Sequence, residues 1–211
     1  MRNKDEKLAR RTILAAAGMI LTGISIGFFK RSGFGVDPYQ CFANGLANII
    51  PIDFGTLYML INMLQLVIVF FMAKHYIGIS TFINMFLLGY MVEISENALA
   101  AWFGELALTG RIAFLVIGVV ITCFAAALYY TAALGVSTYD AIPLHIAEMQ
   151  PKVFGKVVPF RAVRITTDCI CTIIGILLGA TAGIGTVVTA LFMGPLITYF
   201  KRHVTDRMLN P

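Results

Sequence analysis

Charge is scarce in this sequence. Asp, Glu, Lys and Arg make up 13% of its 211 residues while 59% are hydrophobic, and the mean hydropathy is +0.84. A soluble domain of this length needs far more charge to cover its surface, so a water-soluble globule is excluded. Spare length is lacking too. Each membrane span takes roughly 20 apolar residues, and six of them leave no room for an extramembrane domain. Metal-type cysteine spacing is absent. The four cysteines are Cys41, Cys123, Cys169 and Cys171, and the last two, being two apart, point to different faces of a helix. They read as small apolar filler. No nucleophile, metal-ligand set or pair of acids forms a catalytic constellation, so neither an enzyme nor a cofactor or metal is expected. Gly23-Ile24-Ser25-Ile26-Gly27 fits the pattern of a hydrolase elbow, but that motif needs a strand-to-helix turn. Inside an apolar run, Gly23-x-x-x-Gly27 reads instead as a face for close helix packing.

What is present is a set of long apolar runs with basic residues beside them. The net charge of +5 does not indicate nucleic acid, because the basic residues cluster at the ends of apolar runs as topology signals do. Small residues Ala15 to Gly18 come early in the first run, not after it, which predicts an uncleaved first span. Six spans are predicted: Thr12–Phe29, Thr56–Ala73, Ile77–Asn97, Ile112–Ala132, Phe160–Ala180 and Ile184–Phe200. Two shorter and more polar segments, Pro38–Ile50 and Thr138–Gln150, lie after the first and fourth spans and read as re-entrant or interfacial helices. With a cytoplasmic N-terminus, 13 of the 16 Lys and Arg fall inside and only Lys30, Arg31 and Arg111 outside. Both termini are therefore expected in the cytoplasm of a multi-pass protein of the cell membrane.

The sequence also repeats itself. At an offset of 100, Gly18 meets Gly118, Thr22 meets Thr122, Gly35-Val36 meets Gly135-Val136, Tyr39 meets Tyr139, and Phe54-Gly55 meets Phe154-Gly155. After a small insertion the offset is 105, and Gly78-Ile79-Ser80-Thr81 meets Gly183-Ile184-Gly185-Thr186. The expected architecture is all-α: one membrane domain over residues 1–211, with copies at 12–100 and 112–205. Three spans per copy is odd, so the second copy would be inverted, as in many secondary transporters. If the short helices crossed as well, the copies would instead be parallel.

Gly35-Val36-Asp37-Pro38, Gly135-Val136-Ser137-Thr138-Tyr139-Asp140, Val163-Arg164 with Asp168, and Gly183-Ile184-Gly185-Thr186 with Gly194-Pro195 carry a family likeness. On these motifs the chain, to about Phe200, resembles the YczE/YyaS/YitT group of bacterial membrane proteins, closest to the YczE branch. The resemblance implies architecture and no substrate.

Candidate site residues come from polar groups at unexpected depth. Asp37 and Ser137 have N-cap chemistry, and Pro38 suits a first helical turn. A helix N-terminus within the membrane could hold an anionic or polar group; the plainer reading is a cap alone. Asp168 is about eight residues into a span, on the order of 12 Å deep at 1.5 Å per residue. Arg164 lies one turn before it. Such a pair marks either a functional site or a structural ion pair. Asn62 occupies the corresponding depth in the first copy. Tyr39 and Tyr139 read as interfacial anchors or site residues, and Asp140 as a partner for Arg161 or Arg164. Glu93, Glu96, His75 and His145 read as helix-end or surface groups. The substrate-binding candidates are thus Asp37, Tyr39, Asn62, Tyr139, Asp140, Arg164 and Asp168. The partners expected are the lipid bilayer and a small polar or amphipathic solute, with no nucleic acid and with a homo-oligomer left open. Two functions follow: a small transporter, or a non-transporting accessory protein that docks another membrane or biosynthetic component.

Overall fold

The computed structural model of the chain describes residues 2–154 and 160–209, and these are helices joined by short connections. Gly155 and Lys156 lie outside the described residues, as do the side chains of Lys4, Lys152, Arg161, Pro195 and Arg207. The helices are α1 Arg2–Ser32, α2 Pro38–Ala47, α3 Phe54–Ala73, α4 over 79–103, α5 Leu108–Ala132, α6 Thr138–Phe154, α7 Phe160–Leu177 and α8 over 184–209. Continuity through α4 and α8 is kept by π-helical turns at Asn84–Leu88 and Lys201–Thr205. Among the described residues three helices are long and apolar enough to cross a membrane: α1, α3 with its extension to Tyr76, and α5. Their outward faces are those of a lipid-facing surface, with Phe71 81% and Leu64 66% exposed.

The other expected spans depart from simple apolar rods for visible reasons. α4 is interrupted by its π turn, and α7 carries Arg161, Arg164 and Asp168. The apolar part of α8, Ile184–Phe200, has 17 residues, about 26 Å at 1.5 Å per residue. The two short helices also differ from each other. α2 has 10 residues, whereas α6 runs on through Pro151 to 17. Asp140, His145 and Glu148 still leave α6 too polar to resemble a lipid-exposed span.

Glycines set the helix packing. α1 and α5 cross antiparallel: Phe28 meets Phe114 at 4.8 Å between ring centroids, Ser25 accepts from Thr122 at 2.6 Å, and Gly18 lies against Ala125 and Tyr129. A Cβ at Gly18 would stand 2.9 Å from the Ala125 carbonyl, and one at Gly118 would stand 3.3 Å from the Ser25 carbonyl. These contacts are reciprocal, since 18 and 25 correspond to 118 and 125. Gly23 and Gly27 bring α1 against α4, where the Ser95 hydroxyl donates to the Gly23 carbonyl at 2.9 Å. The packing reading of Gly23-x-x-x-Gly27 is therefore the observed one.

The same reciprocity governs the rest of the bundle. α2 packs on α7 of the other copy, and α6 packs on α3. Ser80 donates its amide to the Leu134 carbonyl at 3.0 Å, and Gly185 donates to Phe34 at 2.7 Å. Gly35 and Gly135 have φ of 96° and 97°, and a Cβ on either would meet the amide nitrogen of Gly183 or Gly78 at 2.6 and 2.5 Å. Only glycine allows both that φ and that approach.

Candidate functional site

Where the copies interlock, the two short helices begin side by side. The Asp37 carboxylate accepts from the Gln40 amide at 3.1 Å, and the Ser137 hydroxyl accepts from Asp140 at 3.0 Å, so both expected caps are formed. Each cap is followed two residues on by a tyrosine in the first helical turn. Tyr39 and Tyr139 stack on each other, with centroids 4.5 Å apart and planes inclined by 17°. They are buried at the centre of the main hydrophobic cluster, with Ile26, Tyr58, Leu88 and Val92, and are not interfacial anchors.

From α7, Arg164 joins two carboxylates of the second copy. Its guanidinium is 3.2 Å from Asp168, forms an ion pair with Asp140, and rests over the Tyr139 ring at 4.7 Å. Tyr139 donates to Asp168 at 2.5 Å. Asp168, 8% exposed, thus has a cation and a hydroxyl as partners, the condition under which a deep carboxylate is tolerable. Tyr39 bonds instead to Gln65 at 3.0 Å.

Asn62 stands behind this wall. Its oxygen accepts from Thr138 at 2.7 Å and its nitrogen donates to the Tyr58 carbonyl at 2.8 Å, so it anchors the start of α6. Asp37, Tyr39, Tyr139, Asp140, Arg164 and Asp168 all line one cavity of about 570 Å³; Asn62 does not. Among the lining residues that sequence reasoning did not single out are Gln40 and Asn84. Asn84 is on the π turn of α4, a device frequent at functional sites, and its equivalent Thr189 lines the cavity from α8.

The matched region of known proteins takes in this whole arrangement. A family model described as a family of unknown function, DUF6198, matches residues 9–202. The chain belongs to the DUF6198 family. An uncharacterized protein of Haemophilus influenzae (strain ATCC 51907 / DSM 11121 / KW20 / Rd) is 29% identical over 189 residues, covering 90% of this chain and 82% of the relative. No solved structure matches. Every candidate residue falls inside the DUF6198 match.

In the first copy α3 packs on α4, where the Gly55 amide donates to Glu93 at 3.0 Å and Thr56 meets the Tyr90 hydroxyl at 3.4 Å. The equivalents of Gly55, Thr56 and Tyr90 are Gly155, Lys156 and Pro195, and these lie outside the described residues, Pro195 by its side chain. From α7, Phe160, Arg164 and Asp168 line the cavity, and from α8, Thr189 and Thr198 do. At the opposite end of the bundle Lys30 pairs with Glu96 at 2.7 Å, Arg31 donates to the Gly104 carbonyl, and Arg111 donates to Ser32 at 2.7 Å. Glu93 and Glu96 are therefore engaged groups and not free helix ends.

Proposed function

We propose that this chain is a small, non-enzymatic secondary transporter of the cytoplasmic membrane that moves a polar or amphipathic solute through the cavity between two inverted copies. The observation carrying this reading is the composition of the cavity wall. Repeat-related pairs face it from both copies: Thr22 and Thr122, Asp37 and Ser137, Tyr39 and Tyr139, Gln40 and Asp140. A largely apolar cavity with polar groups from both copies, at the repeat interface, is where such folds build a substrate site. Antiparallel crossing of α1 and α5 supports inversion of the copies, with six spans and with α2 and α6 re-entrant. The likeness to the YczE/YyaS/YitT group rests on the same cap and Gly-rich motifs. A docking or accessory protein needs no such cavity, and a packed interface would have favoured it.

Inversion of the copies supplies a mechanism. With the basic ends cytoplasmic, α3 and α4 seal the cavity outward, and α7 and α8 are the corresponding inward gate. Parting of α3 from α4 in alternation with α7 from α8 is alternating access by rocking. The test is a solute screen in vesicles reconstituted with the full chain, with and without a proton gradient. Protein-dependent movement of a solute, abolished by Asp168→Asn, is expected. A purified, folded protein that moves none of a broad polar panel would overturn the reading in favour of the accessory role.

A further inference from the structure

We propose that the cavity binds a primary organic ammonium ion, an amine that brings both positive charge and N–H donors. The proposal deepens the reading of this cavity as the solute site and rests on it. Three carboxylates and one guanidinium face the space: Asp37, Asp140, Asp168 and Arg164. Arg164 is engaged with Asp140 and Asp168. Asp37 accepts backbone donors at its cap and has no cation within ion-pair distance among the described residues. Among the described residues the lining thus holds more carboxylates than cations, the unpaired one in the first copy.

Independent of charge, two buried acceptors among the lining residues lack a donor. Gln40 Oε1 and Asn84 Oδ1 are without a hydrogen-bond partner among the described residues, and the two residues are 2% and 5% exposed. The Asn84 Nδ2 lies 3.4 Å from the Met19 sulfur. A thioether can only accept, so this contact orients the amide nitrogen toward Met19 and leaves the oxygen free. Buried polar groups without partners are rare in folded proteins and call for an explanation. Both residues line the cavity with Asp37, and so does Tyr129, whose buried hydroxyl is likewise without a partner among the described residues and can accept as well as donate. A ligand meeting all of these must donate hydrogen bonds and carry positive charge. An anion could meet only the Tyr129 hydroxyl, and a quaternary ammonium only the charge. The cavity volume of about 570 Å³ suits an organic molecule better than a bare ion. Among the described residues no three His, Cys, Asp or Glu converge as metal ligands would.

The test is calorimetric titration of the full chain in detergent with three probes of similar size: n-butylammonium, tetramethylammonium and butyrate. Butylammonium should bind, tetramethylammonium at least about tenfold more weakly, and butyrate not at all, since the buried acceptors reject a ligand that cannot donate. Asp37→Asn retains the helix cap, because Asn caps as well as Asp, and should weaken butylammonium by about tenfold or more. Gln40→Leu should do the same. Equal binding of the three probes, no binding of butylammonium, or wild-type affinity in both variants would overturn the proposal. If a variant fails to fold, the probe series on the unaltered chain still decides. Butylammonium that binds but is not moved in vesicles would count against transport and leave this proposal standing. Gradient-driven movement of an uncharged solute, with no binding of butylammonium, would do the reverse.

Discussion

Replacing Arg164 with Gln should harm the fold more than replacing Asp168 with Asn. Arg164 holds two carboxylates and lies over Tyr139, so its loss leaves Asp140 and Asp168 facing each other without a cation. Removing one partner of a fully buried pair costs about 3–5 kcal/mol. Arg164 keeps 31% of its side chain exposed, so water offsets part of the loss and about 2–3 kcal/mol is expected. Asp168→Asn is milder. The Asn oxygen can still accept from Tyr139, Arg164 keeps Asp140, and one charge-assisted contact goes, for about 1–2 kcal/mol. Because Asp140 also depends on Arg164, adding Asp168→Asn to Arg164→Gln should restore only part of the stability, and Asp140→Asn is needed for the rest. Thermal unfolding of the purified chain in detergent, followed by far-UV circular dichroism, measures these differences, and the combined variants give the coupling. If Asp168→Asn cost as much as Arg164→Gln, or if the double variant were fully restored, the three-way cluster would be wrong. Transport should separate from stability: Asp168→Asn is expected to abolish movement of solute while the folded yield stays near normal.

Gly18→Ala should destabilise by about 1–3 kcal/mol, since the new methyl meets a backbone carbonyl at 2.9 Å, and Gly118→Ala by less because its neighbour is at 3.3 Å; equal melting temperatures would contradict the crossing geometry. Glu93→Leu removes the acceptor for the Gly55 amide and should loosen α3 from α4, raising the reactivity of a cysteine introduced at Tyr39 toward an impermeant reagent applied outside. No change would argue against this contact as the outer seal. Cysteines introduced near Lys4 or Arg207 should escape labelling from outside intact cells, and labelling at both ends would refute cytoplasmic termini.

The apolar runs, the offsets of 100 and 105, both helix caps and the Arg164–Asp168 pair were all legible, because each depends on composition or on spacing along one helix. The partners of α2 and α6 were not. Hydropathy says that a segment is buried without saying against what, and the exchange of these helices between copies is a tertiary choice. Tyr39 and Tyr139 looked like anchors for the same reason: a tyrosine near a helix start serves an interface or a core equally well. Asn62 was singled out by its place along α3, but its facing depends on the rotation of α3, which an apolar helix hardly encodes. The π turn that presents Asn84 leaves no recognisable sequence signal, and Gln40 became interesting only once its oxygen was found without a partner.

The exchange of short helices has a consequence for biosynthesis. α2 leaves the ribosome about 110 residues before α7, its principal packing partner. At 5–20 residues per second the interval is roughly 6–22 s. Throughout it, Asp37 and Gln40 have no cover from the second half, and a polar helix start in bare lipid is costly. On the proposed topology the first half waits at the headgroup layer, or in the shelter of the insertion machinery, until its counterpart arrives. A chain truncated after α4 should be degraded quickly, whereas the two halves expressed as separate chains should rescue each other when made together.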